Sequence, residues 1–292
     1  MTTTTNWRPC AAALTLLLTM SAVPAQAHDN QVEMIVEFEK RCFVTNGLPD
    51  HDTGTFPNKG NPNTILAQKL RLCMPSKPPN QIGTVAQYLK GSIGIAINGV
   101  QFRPGTADYF DAESPRGFSH DPSSGWNLDG MGAREKLGID HHNAHVDNRG
   151  LYHYHGVSDA LAKSTRALVI GYAADGYDIH YVGARMTSSY QLKRGHRPFP
   201  PGGVYDGTYN EDWEFVKGSG RLDECNGTKN LYGRYVYYAT DTYPFFPRCL
   251  WGKISDDFKR SADGPRSSGG RGPGGRPGED FPPRGGPPPP RR

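Results

Sequence analysis

The 292-residue chain has no apolar run long enough to span a bilayer. It also has no CxxC pair and no GxSxG, P-loop or HExxH string, and its GxGxxG match, Gly270 to Gly275, lies in the Gly/Pro-rich end with no strand-like run before it. Those features remove the usual signatures of zinc ribbons, α/β hydrolases, nucleotide binders and zincin proteases. Helix-period apolar spacing is scarce. Net charge is missing from the body. Of a formal +4, Arg8 contributes +1 and residues 261–292 contribute +3, which leaves 28–260 neutral. The pI near 8.7 therefore belongs to the two ends and is no sign of a basic binding face on the body, which disfavours a nucleic-acid-binding domain.

The two ends are distinctive. Arg8, the short apolar stretch AAALTLLLTMSAV (11–23) and the small-residue site Ala25-Gln26-Ala27 read as a signal peptide over residues 1–27. A secreted or periplasmic protein beginning at His28 is expected. At the other end, 9 Gly and 9 Pro fill 18 of the 32 residues from Ser261 to Arg292. Such a composition buries too little apolar surface to offset its ordering entropy. Residues 259–292 are expected to be a disordered cationic tether that contacts anionic cell-surface polymers electrostatically.

Without the leader, four cysteines remain: Cys42, Cys73, Cys225 and Cys249. An even number in an exported chain reads as two disulfides, with three connectivities open. Local closure favours Cys42–Cys73 and Cys225–Cys249.

Residues 28–258 are long enough for one domain with its own core. Their periodicity is that of strands. VEMIVEFEKRCFV (32–44) alternates, GSIGIAINGVQF (91–102) carries an Asn98-Gly99 turn signal, and LYHYHG (151–156), ALVIGYAADGYDIHY (167–181) and GRYVYYATDTYPFF (233–246) are rich in Tyr, Ile, Val and Thr. Only Thr84–Leu89 and Ser158–Arg166 suggest short helices, the second with Ser158 as N-cap. The expected fold is mostly β: one compact β-sandwich or barrel-like domain with few short helices. Its long polar loops at 45–66, 103–150 and 187–229 are of a length that usually carries function.

The chemistry concentrates in DHHNAHVDNRGLYHYHG (140–156), which holds five of the chain's ten histidines, His141, His142, His145, His153 and His155. On a strand, His153 and His155 share a face, roughly 6.5–7 Å apart, while Tyr152 and Tyr154 point the other way to anchor it. The turn at Asn148-Arg149-Gly150 brings the preceding segment back, so that His145 or His141 completes a three-imidazole set. That donor set suits Zn or Cu.

At these residues the chain resembles the YHYH-domain family of exported bacterial proteins. The resemblance also takes in NGLPDHDTGTFPNKGNPNTI (46–65), IGYAADGYDIHY (170–181), PGGVYDGTYNEDWEFV (201–216), LDECNGT (222–228) and the Tyr-rich strand leading to Cys249. It implies a His metal site with the motif histidines at His145, His153 and His155, leaving His141 and His142 as weaker candidates, and it implies no particular reaction. Two positions depart from the family pattern: His180, where a Tyr is usual, and Arg221, where an Asp is common.

The acidic cluster Asp206, Glu211, Asp212, Glu214, Asp223 and Glu224 offers oxygen ligands for Ca, although its spacing matches no EF-hand. Asp140 and Asp175 are the carboxylates expected to support the ligand histidines from behind. Three function classes follow. A metal-dependent enzyme, a hydrolase or a copper oxidoreductase, needs a pocket beside the ion with such a carboxylate in reach. A metal scavenger needs four protein ligands and no pocket. A metal-independent cell-surface or matrix module would show no converging nitrogens.

Overall fold

The computed structural model of the chain describes Met1 and residues 29–88, 91–164 and 168–263. The expected leader and the tail beyond Asp263 lie outside the described residues. Among those described, strands dominate and helices are few and short. The sheets are open, and none closes into a barrel. Among the described residues, no helix is long and apolar enough to cross a membrane.

The chain begins with a three-stranded antiparallel sheet, β1 (Val32–Glu37), β2 (Lys40–Thr45) and β3 (Leu70–Pro75). Here 32–44 is a hairpin rather than one strand. It reverses at Phe38 and Glu39, both at positive φ (45° and 65°). Two-residue hairpin turns of that shape normally use Asn or Gly. Nothing local marks this one; it is held by six cross-strand pairs and by the second strand's pairing with β3.

The main body is a mixed eight-stranded sheet. Chain order supplies β4 (Gly94–Ala96) and β5 (Gln101–Phe102), then a two-stranded ribbon of β6 (Tyr109–Phe110) and β7 (Phe118–Ser119). Helix α1 (Arg134–Leu137), β8 (Ala144–Val146), β9 (Tyr152–Tyr154) and helix α2 (Asp159–Ser164) follow. Next come β10 (Val169–Ala173), β11 (Asp178–Tyr181), a second ribbon of β12 (Tyr190–Leu192) and β13 (Trp213–Phe215), β14 (Gly227–Lys229), β15 (Tyr235–Ala239) and helix α3 (Asp256–Asp263). The large sheet runs β14-β15-β11-β10-β4-β5-β9-β8. The Asn98-Gly99 turn joins β4 to β5 as expected, with Gly99 at φ 83°. A side chain there would strike Thr45, so both backbone freedom and space require glycine.

Phe43, Leu72 and Met74 from the small sheet share one core with Ile95, Phe102, Tyr154, Ile179 and Tyr237 from the large one. Ser158 caps α2 through a 3.3 Å bond from the Leu161 N–H. The helix expected at Thr84–Leu89 is not formed over 84–88. Gln87 instead makes a backbone bridge with Leu250, a long-range pairing that overrides weak local propensity. Helix α3 runs past residue 258, where composition alone placed the end of the body.

Both disulfides follow the local-closure pairing, Cys42–Cys73 and Cys225–Cys249. They close loops of 31 and 24 residues, worth about 3–4 kcal/mol each by chain entropy. Replacing Cys225 and Cys249 together by Ala should lower the unfolding free energy by about that amount. Denaturant titration would check it, and an unchanged midpoint would contradict it.

Candidate metal centre

The centre is built on the β8–β9 hairpin. Asp147 opens the turn: its Oδ1 accepts the backbone N–H groups of Arg149 (2.9 Å) and Leu151 (3.0 Å), and Gly150 closes the turn at φ 83°. The register then sets His145 directly opposite His153, with Ala144 opposite Tyr154 and Val146 opposite Tyr152. Because strand side chains alternate, His153 and His155 leave one face of β9, and Tyr152 and Tyr154 leave the other.

On the first face the three imidazoles converge. Ring centroids of His145 lie 4.7 Å from His153 and 4.6 Å from His155, and the candidate ligand nitrogens all fall within 4.8 Å of one another. His145 Nδ1 is 2.9 Å from the Leu137 carbonyl and His153 Nδ1 is 3.0 Å from the Leu151 carbonyl. A carbonyl only accepts, so both Nδ1 atoms carry the proton and both Nε2 atoms present a lone pair. His155 Nε2 sits 3.1 Å from His145 Nε2. Its Nδ1 is buried and makes no hydrogen bond of normal geometry, the Pro104 carbonyl lying nearby.

Burial holds all three rings neutral. It lowers His145 to about 4, and with Arg103 close by it keeps His153 and His155 well below the usual imidazole value. Arg103 itself is fixed by Asp147 at 2.8 Å, and Asp147 also receives Arg149 at 3.2 Å. The histidines open onto a cavity of about 590 Å³ lined by Arg103, Asp108, Arg116 and Arg149 and by the loop Gly60–Asn63. Two of the long loops singled out in the sequence, 45–66 and 103–150, thus wall the site.

Gly130 fits against this centre. A methyl group there would run into the His155 ring, closest at Nδ1. Gly130→Ala should therefore displace one ligand and weaken zinc binding by at least about tenfold while leaving the far-UV spectrum intact. Unchanged affinity would show that His155 is not held in place for an ion.

The opposite face of β9 is a satisfied polar network. Tyr152 Oη donates to Asp140 Oδ2 at 2.8 Å, and Asp140 also accepts the N–H groups of Gly54, His142 and Ala144. His51 Nδ1 donates to the Asp52 carbonyl (2.6 Å), so its Nε2 accepts from Tyr154 Oη (2.6 Å). Ser158 Oγ donates to His142 Nδ1 (3.0 Å), and His142 Nε2 donates to Asp52 Oδ1 (3.1 Å). His51, Asp52 and His142 also have the spacing of a metal group, but in this hydrogen-bonding pattern neither imidazole retains a free lone pair.

Several expectations need correction. His141 and His142 do not join the three-histidine group: β9 lies between, and both meet Asp52 instead, at 3.3 and 3.1 Å. Asp140 turns to Tyr152 and the backbone rather than to a ligand histidine. Asp175 lies elsewhere, accepting from Tyr237 Oη (2.8 Å) and the Gly252 N–H (2.9 Å), with burial pushing it up to about 6. Residues of the acidic cluster have partners within the protein. Asp212 and Asp206 pair with Arg197, and Asp223 accepts from Tyr235 Oη and Trp251 Nε1. Sequence reading missed Arg103, His51 and Asp52. His51 stands in PDHDTG between two carboxylates, a visible polar cluster, yet its partner Tyr154 is 103 residues away.

A family model described as YHYH protein matches residues 71–252. No curated protein and no solved structure matches the chain.

Proposed function

The chain belongs to the YHYH protein family, and we propose that it is an exported protein binding one transition-metal ion, Zn or Cu, through the Nε2 atoms of His145, His153 and His155. One observation carries this reading: the 3.1 Å approach of His145 Nε2 to His155 Nε2. His145 Nε2 is a bare lone pair. If His155 keeps its proton on Nδ1, two lone pairs face each other. If the proton moves to Nε2, a buried Nδ1 is left without a donor, at a cost of about 1–3 kcal/mol. A cation accepting both Nε2 lone pairs removes either conflict. Two nitrogens bound to a tetrahedral ion at ~2.0–2.1 Å would stand about 3.3–3.4 Å apart, close to what is found. The carbonyl-anchored Nδ1 protons are the orientation that metal-binding histidines usually need.

Three nitrogens beside a roomy cavity suit an ion that also takes up an external ligand, whereas a scavenger would be closed by four protein ligands. Such an ion supplies Lewis acidity and lowers the pKa of bound water. The chain's own share is to hold three neutral imidazoles in one orientation, keep Arg103 beside them and wall the cavity with the two loops. Burial and convergence of the nitrogens favour this over a metal-independent surface module tethered by the tail. Two disulfides accord with an oxidising compartment.

Elemental analysis of protein purified without added metal or chelator tests the proposal. About one Zn or Cu per chain is expected. A metal-free product that also fails to take up Zn or Cu on dialysis would overturn it.

A further inference from the structure

The cavity beside the histidines is unusual in its charge. Its wall carries three guanidinium groups, Arg103, Arg116 and Arg149, against two carboxylates, Asp108 and Asp147. Asp147 is already engaged by Arg103, by Arg149 and by two backbone N–H groups. Asp108 lies 3.5 Å from His120 at the mouth. Arg116 stacks on the Phe118 ring at 4.4 Å and has no carboxylate within ion-pair distance among the described residues. The three converging imidazoles are neutral donors, so an ion held by them would bring two further positive charges with no carboxylate in the donor set. Positive charge in such a concave, partly desolvated site attracts and orients anions. Guanidinium groups do so with paired N–H donors matched to oxyanions.

We infer that this cavity binds a small oxyanion-bearing ligand, a phosphate or carboxylate compound, with Arg116 as a recognition residue at the wall. Arg149 and Arg103 set the field from the Asp147 side. The volume of about 590 Å³ suits a small organic molecule rather than a polymer segment. The inference rests on the metal reading for the full strength of binding, though the arginines face the cavity whether or not an ion is bound.

The test is calorimetric titration of the full mature chain with inorganic phosphate in a non-coordinating buffer, using zinc-reconstituted and chelator-stripped protein. Sodium acetate is the carboxylate arm, and glycerol is a neutral control of similar size. Wild type should bind phosphate or acetate and not glycerol, and the binding should weaken as KCl is raised from about 0.05 to 0.5 M. Arg116→Gln should weaken it about tenfold with unchanged zinc content and melting temperature. Arg194→Gln, on the exposed surface away from the cavity, should bind like wild type. Absence of binding to both anions would overturn the inference, as would equal affinities for wild type and Arg116→Gln. The metal reading fails separately: if the protein takes up no zinc, an Arg116-dependent, salt-sensitive phosphate signal in the stripped protein still supports the anion site.

Discussion

Changing His153 or His155 to Ala should weaken zinc or copper binding by at least about 10–100-fold, a loss already typical of residues that merely support a ligand. The expectation follows from the face rule and from register. His153 and His155 leave β9 on the same side, and His145 stands opposite His153 across the hairpin, so each substitution removes one of three converging nitrogens. His145→Ala should behave alike. His142→Ala should not, because His142 lies beyond β9 with Ser158 and Asp52. Tyr154→Phe separates packing from ligation. It leaves every candidate ligand in place but takes the hydroxyl from between His51 Nε2 and Asn98 Nδ2, costing about 1–3 kcal/mol of stability. Metal titration together with denaturant titration resolves the five variants. A His142→Ala loss equal to that of His153→Ala would move the site to the other face.

The second large effect is acid instability of the metal-free protein between pH 6.5 and about 4. Each of the three histidines has a folded pKa below its ordinary value, because burial disfavours the charged ring. In that window the unfolded chain binds more protons than the folded one, so stability falls as pH falls. For His145, going from 6.5 to about 4 corresponds to about 3 kcal/mol. Asp175 has the opposite sign. Raised to about 6, it is protonated in the fold before it would be in the unfolded chain, and it returns about 3 kcal/mol over nearly the same range. These two nearly cancel, and His153 and His155, which burial also holds well below the ordinary imidazole value, add to the loss. The denaturant midpoint of stripped protein should drop steadily from pH 7 to 4.5, and His153→Gln should flatten the slope. A flat or rising profile would mean that the rings are solvated.

What the sequence made legible was local. Strand alternation placed His153 and His155 on one face, the Asn148-Arg149-Gly150 turn folded His145 or His141 back toward them, with the family resemblance pointing to His145, and short loop closure gave both disulfide pairs. What it hid was decided by contacts far along the chain. No local signal marks Phe38-Glu39 as a turn; the pairing of β2 with β3 makes it one. Gln87 is extended because Leu250 pairs with it. Asp140 directly precedes His141, and Asp175 stands in the turn Ala174-Asp175-Gly176, yet neither meets a ligand histidine. Which of their neighbours is a tyrosine hydroxyl and which an imidazole depends on sheet order, and sheet order is not written in a ten-residue window. Arg103 reaches the site because β5 lies parallel to β9, a non-local pairing that also sets the charge of the cavity.

The most direct measurement of the central claim is the X-ray absorption fine structure of the zinc-reconstituted protein, which counts the donors and identifies them. The account predicts three imidazole nitrogens at about 2.0–2.1 Å, with their outer-ring scattering, and one further light donor. In a His153→Ala/His155→Ala double variant that imidazole pattern should be lost. A first shell made only of oxygens, or an imidazole signature unchanged in the double variant, would contradict it.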